Sequence, residues 1–177
     1  MVRLAQPWTI AEWLNVGAPI ALDSMRGRVV LAVAFQMLCP GCVSHALPQA
    51  QRVRAAFAES DLAVIGLHCV FEHHEAQGTR AALEAFLHEY RIGFPVGIDA
   101  HAQGDPLPKT MRAYNMQGTP TTLLIDRAGR LRMQTFGHVD DLRLGAAIGT
   151  LLGEGELHAG ANEGARVGGC DDAGCAV

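Results

Sequence analysis

Seven consecutive apolar residues, Val29-Val30-Leu31-Ala32-Val33-Ala34-Phe35, lead almost directly into Cys39-Pro40-Gly41-Cys42. No other feature constrains the chain as strongly. An apolar run with no alternation reads as a strand buried on both faces, so the fold must supply helices to both sides of a sheet. After the cysteines, Val43, Ala46 or Leu47, Ala50, Val53 and Phe57 recur at helical spacing, which predicts a helix over 43–57. A Cys-x-x-Cys at a strand-to-helix turn is a redox arrangement. Two intervening residues let the sulfurs meet across one helical turn. The first sulfur then faces the unpaired N–H groups and the positive end of the helix. That field favours a thiolate and lowers the pKa of the first cysteine. Pro40 suits the first turn, where its missing N–H would have no partner anyway. Position thus makes Cys39 the nucleophile and Cys42 the resolving thiol.

Two other readings of the pair stay open: half of a metal site, or two structural thiols. A structural zinc site takes four ligands. Cys170 and Cys175 offer a second pair, but four residues apart and in a glycine-rich segment. A metal-binding module would instead use Cys39, Cys42 and nearby histidines.

The second anchor is Gly118-Thr119-Pro120-Thr121-Thr122-Leu123-Leu124-Ile125-Asp126, where proline opens a β-branched, apolar strand. Within a sheet, proline is tolerated at a strand start or an edge. Together the two anchors resemble the thioredoxin superfamily, in its redoxin or TlpA-like branch of thiol-disulfide oxidoreductases. The resemblance runs over 18–152 and includes Ala18-Pro19-Ile20-Ala21-Leu22-Asp23, Phe94-Pro95-Val96-Gly97-Ile98-Asp99 and the hairpin Ile125-Asp126-Arg127-Ala128-Gly129-Arg130-Leu131. It implies a thioredoxin-like α/β/α sandwich with a central mixed sheet. It further implies that Pro120 is cis and faces the cysteine pair, with Thr119 offering backbone groups to a substrate. Pro40, Gly41, Thr119 and Pro120 then line the substrate site.

The proton acceptor is the open question. TlpA-like proteins often carry a glutamate three residues after the second cysteine, and here His45 stands there. One helical turn beyond Cys42 puts it on the same side, and imidazole moves protons near neutral pH. The alternative is an exposed helix histidine. Leu47-Pro48, with the Pro-Gly-Cys entry, resembles a subset of peroxiredoxins. In that alignment Cys42 is the peroxidatic cysteine, but Cys39 replaces the threonine that activates peroxide. A thiol peroxidase is therefore an alternative that lacks the residue it most needs.

Composition bounds the rest. The 177 residues are 49% apolar with a net charge of −4, which suits one globular domain. Five acidic residues from Glu154 onward face only Arg166, and the remainder balances at 13 against 13. No clustered basic charge points to nucleic acid. Residues 1–15 lack the apolar core of a secretory signal, and no run reaches the length of a membrane span. The expectation is a cytoplasmic protein, where a proximal cysteine pair is catalytic more often than structural and works toward reduction. The partners implied are a disulfide-bearing protein or a small-molecule thiol or disulfide, and an upstream dithiol reductant. No cofactor is implied.

Along the chain, Thr9-Ile10-Ala11-Glu12 reads as a capping box before a helix with Trp13 and Leu14, ended by Asn15 and Gly17. Residues 1–17 are thus expected to be a helical extension. Strands are expected at 29–36, 62–67 (extendable to 70), 94–98, 121–126 and 131–136, and helices at 43–57 (kinked by Pro48), 80–90 and 110–114. Leu144, Ile148, Leu151 and Leu152 mark a last helix. Residues 153–177, acidic and glycine-rich, are expected to be a flexible tail, whose Cys170 and Cys175 are either a redox shuttle or incidental thiols. Cys69 beside His68, with Glu72, His73, His74 and Glu75 nearby, is either a metal cluster or a buried thiol next to a solvated loop. That loop should border the cysteine pair.

Overall fold

The computed structural model describes residues 3–163. A seven-stranded mixed sheet forms its centre: β1 (Arg3–Leu4), β2 (Ile10–Leu14), β3 (Val29–Phe35), β4 (Leu62–His68), β5 (Val96–Asp99), β6 (Thr121–Ile125) and β7 (Arg130–Phe136). Their spatial order is β1-β7-β6-β3-β4-β5-β2. β3 pairs parallel with β4 and antiparallel with β6, so it lies at the middle of the sheet. Its residues explain that position. Val29, Leu31, Val33 and Phe35 enter one hydrophobic core, and Val30, Ala32 and Ala34 enter the other. Burying each of the larger side chains stabilises the fold by about 1.5–3 kcal/mol.

Among the described residues, five α-helices accompany the sheet: α1 (Leu47–Ala56), α2 (His74–Gln77), α3 (Arg80–Glu89), α4 (Lys109–Ala113) and α5 (Asp141–Glu163). The first core packs α1, α3 and α5 on one face of the sheet through Leu47, Ala50, Leu83, Leu87, Leu144, Ile148 and Leu151. The second core packs α4 and the 3-10 turn Leu22–Met25 on the other, through Leu22, Met25, Met111 and Tyr114. Helices on both faces make the expected α/β/α sandwich.

The N-terminal expectation is corrected. Residues 10–14 form a strand, not a helix, and pair antiparallel with β5. The capping-box pattern is overridden because β5 would otherwise leave a row of unpaired backbone groups at the sheet edge. Thr9 spends its backbone there too: its carbonyl accepts from Ala100 N–H at 2.9 Å and its own N–H donates to Thr110 Oγ1 at 2.9 Å. At the other end α5 continues to Glu163, past the expected boundary at residue 153. Once nucleated, a helix gains a hydrogen bond per added residue, and Arg132 grips Glu154 with bonds of 2.6 and 2.8 Å. Cys170 and Cys175 lie outside the described residues. Among the described residues, no helix is long and apolar enough to cross a membrane.

Candidate active site

The cysteine pair sits at the C-terminal end of β3. Pro40 and Gly41 open the helix, Cys42–Ala46 form a π-helical turn, and α1 follows. The widened turn lies just before Pro48, which has no N–H to donate to the carbonyl four residues back. The expected kink therefore takes the form of a change in helical winding. Cys39 and Cys42 are joined as a disulfide with their Cα atoms 5.2 Å apart.

Their surroundings differ as a nucleophile and a resolving thiol require. Cys39 is half-buried, while Cys42 has no exposed surface and belongs to the first core. Cys42 N–H donates to Cys39 Sγ at 3.2 Å. The Cys39 carbonyl accepts from Cys42 N–H at 3.0 Å and Val43 N–H at 3.1 Å, so Cys39 stands at the entrance of the helix. A thiolate there gains from both the N–H and the helix end.

The second anchor closes the site. The Thr119–Pro120 bond is cis. The Thr119 carbonyl lies 3.5 Å from Cys39 Sγ. Gly41 faces the Pro120 ring, and a Cβ at Gly41 would sit 3.5 Å from Pro120 Cδ. Gly137 N–H holds the Pro120 carbonyl at 2.8 Å, which ties this loop to the end of β7. Cys39, Cys42, Pro40, Gly41, Thr119 and Pro120 thus converge, from segments about eighty positions apart in sequence.

His45 is placed differently from the helical-turn argument. In the π-helical turn Cys42 and Ala46 face the core, and His45 is exposed. Its Nδ1 lies 2.6 Å from Ser44 Oγ, whose hydroxyl donates to the Pro40 carbonyl at 2.6 Å. Its ring packs on His138, with centroids 5.1 Å apart. His138 follows β7 and carried no signal in the sequence, because only the return of β7 to the site brings it there.

The Cys/His cluster after β4 does not converge. Cys69 is fully buried on the opposite face of the sheet from Cys42. Its thiol donates to Asp99 Oδ2 at 3.5 Å. Burial, then the neighbouring Asp99 charge, push its pKa well above the ordinary thiol value. His68 is buried beside Phe35, and desolvation lowers its pKa to about 4, so it stays neutral. His74 packs instead on His101, at 5.4 Å between ring centroids. Among the described residues, no three His, Cys, Asp or Glu side chains are grouped to hold a metal ion.

The loop after β4 does border the cysteine pair, as expected, through Glu72 of that cluster and through Gln77, which the cluster did not include. Gln77 Oε1 accepts from Leu38 N–H at 3.2 Å, and Gln36 Nε2 donates to Glu72 Oε1 at 3.2 Å. A polar residue ending an apolar strand was the available signal for Gln36. Gln77 gave none. Leu38 and Phe136 are 56% and 52% exposed, and the Phe136 ring would collide with a Cβ at Gly118. A cleft of about 430 Å³ lies between the end of β2 and α3, lined by Asn15, Arg80, Glu84 and Arg91 among others, and contains none of the site residues.

Comparisons with known proteins agree with the fold. The AhpC/TSA family matches residues 7–134. A crystal structure of a thioredoxin-like superfamily protein is 56% identical, covers 85% of this chain and 97% of its own, and superposes with a TM-score of 0.83. A thiol-disulfide isomerase from Corynebacterium glutamicum is 46% identical, with 84% and 95% covered and a TM-score of 0.80. Protein DipZ of Mycobacterium tuberculosis is 32% identical over 134 residues, which are 74% of this chain. The chain spans only 18% of DipZ's length. The fold and these likenesses lead to one conclusion: the chain belongs to the AhpC/TSA family and carries its thioredoxin-like fold.

Proposed function

We propose that the chain is a thiol-disulfide oxidoreductase whose redox centre is Cys39–Cys42, and that it reduces disulfides in polypeptides. The carrying observation is the asymmetry of the pair: Cys39 Sγ is half-buried beside Cys42 N–H and the Thr119 carbonyl, and Cys42 is sealed beneath it. In the dithiol state the Cys39 thiolate attacks one sulfur of a substrate disulfide. A mixed disulfide forms and the other substrate sulfur leaves as a thiolate. The Cys42 thiolate then attacks Cys39 Sγ and expels the second substrate sulfur. The substrate gains two electrons and two protons, and the enzyme is left as the disulfide seen here. An upstream dithiol returns those electrons by the reverse exchange.

A polypeptide substrate is favoured by the apolar surface next to Cys39. Leu38 immediately precedes it, and Phe136 flanks the Thr119–Pro120 loop. Exposed large apolar side chains gathered at a reactive centre fit a protein partner better than a small polar disulfide. The test is trapping. Cys42→Ser removes the resolving thiol, so the mixed disulfide on Cys39 should accumulate and resolve on gels only after reduction. If Cys42→Ser traps no protein and turns over glutathione disulfide at the wild-type rate, the proposal fails. Peroxide consumption that survives Cys39→Ser would instead support single-cysteine peroxidase chemistry at Cys42.

A further inference from the structure

Two buried amides brace the peptide that carries the nucleophile. Gln36 is 1% exposed and Gln77 is fully buried. Amides taken out of water this completely must find partners, and these do. Gln77 Oε1 accepts from Leu38 N–H at 3.2 Å, and its Nε2 donates to Gln36 Oε1 at 3.0 Å and to the Glu72 carbonyl at 2.9 Å. Gln36 Oε1 also accepts from Phe71 N–H at 3.2 Å, and its Nε2 donates to the Glu72 carboxylate at 3.2 Å. Cys39 N–H in turn donates to the Gln36 carbonyl at 3.3 Å. Residues 36–39 are therefore held from within by a turn and from outside by α2.

The segment that presents Gln77 is shaped for this. α2 is a single turn, entered through His73 at φ +52°. A non-glycine residue adopts that left-handed conformation at a cost. The residues from Glu72 to Ala76 are exposed and Gln77 alone turns inward.

We propose that Gln77 is a positioning residue for Cys39, fixing the Met37–Leu38 peptide just ahead of it so that Cys39 Sγ stays over the Cys42 N–H. Gln77 touches no reacting atom. The inference rests on Cys39–Cys42 being the redox pair. Its physical basis is the difference between the two redox states. A hydrogen bond to a thiolate is charge-assisted and roughly twice as strong as one to a neutral sulfur. A loosened loop therefore costs the thiolate more than the disulfide.

The test uses the full chain with Gln77→Met, which keeps the volume and removes both hydrogen-bonding groups. Alkylation of reduced Cys39 by iodoacetamide at neutral pH should slow about five- to tenfold. The equilibrium with the glutathione couple should shift toward the Cys39–Cys42 disulfide in the same direction, with circular dichroism unchanged. Gln77→Asn falls one methylene short of Leu38 N–H while remaining a buried amide. It should shift both readouts the same way, and it carries the test if the methionine variant does not fold. A folded variant with wild-type alkylation rate and wild-type equilibrium overturns the proposal, even if its melting temperature falls. Failure of the underlying site reading looks different: in the wild type, Cys39 would react no faster than Cys42.

Discussion

Cys42 and Cys69 are equally buried, with no exposed surface at either, yet only one is placed for redox chemistry. They lie on opposite faces of the same sheet. Cys42 has a half-exposed sulfur bonded to it and opens a helical turn, where backbone N–H groups favour negative charge on Cys39. Cys69 has a carboxylate for its neighbour, which opposes ionisation, and, among the described residues, no second sulfur bonded to it. Burial alone therefore says little about a cysteine. The sign of the nearest charge and the access of a partner sulfur decide whether it exchanges or stays inert.

Serine substitution is the strongest way to break that comparison. Cys39→Ser should lower disulfide reduction by at least about three orders of magnitude, as expected when one member of a cooperating pair is removed. Cys69→Ser should leave turnover within about twofold and cost on the order of 1 kcal/mol of stability. Equal losses in insulin-reduction assays would place Cys69 in the mechanism and undo the contrast.

Within the pair, differential alkylation sharpens the comparison. Reduced Cys39 should react with iodoacetamide at least about tenfold faster than Cys42, and should keep reacting below neutral pH. Mass spectrometry of tryptic peptides reads both rates. A faster Cys42 would reverse the roles and restore the peroxiredoxin alignment.

A smaller effect separates two aspartates, Asp99 behind Cys69 and Asp126 at the β6–β7 turn. Burial raises the pKa of Asp99, only partly offset by the N–H groups of Thr110 at 2.8 Å and Met111 at 2.9 Å. Burial also opposes ionisation of Asp126, but there hydrogen bonds from Arg130 and Arg132 win and lower its pKa. The linkage signs are opposite. Stability from Asp99 is present in full below its unfolded pKa and is lost as pH rises through its higher folded pKa. Stability from Asp126 is present above its unfolded pKa and is lost as pH falls through its lower folded pKa. Melting curves across the acid range should show it. Relative to Asp99→Asn, the wild type loses ground as pH rises, and relative to Asp126→Asn it gains. Slopes of the same sign for both variants would contradict these assignments.

The sequence by itself determined the parts whose signals are local. The unbroken apolar run of β3 and the strand opened after Pro120 show as local composition, and the helix entered by Cys39-Pro40-Gly41-Cys42 and the one-sided spacing of Leu83 and Leu87 in α3 show as a period of 3.6 residues. Those signals are visible without any partner, and together with the resemblance to the thioredoxin superfamily they led to the sandwich and the cysteine site. Only the tertiary structure decided the rest. Residues 10–14 became a strand because β5 needed a neighbour. His45 turned to solvent because the winding changed ahead of Pro48. His138 and Gln77 reached the site through the return of β7 and the one-turn α2. Each of these depends on a backbone group or ring far away in sequence, and no local period encodes which distant hydrogen-bond partner a residue will find.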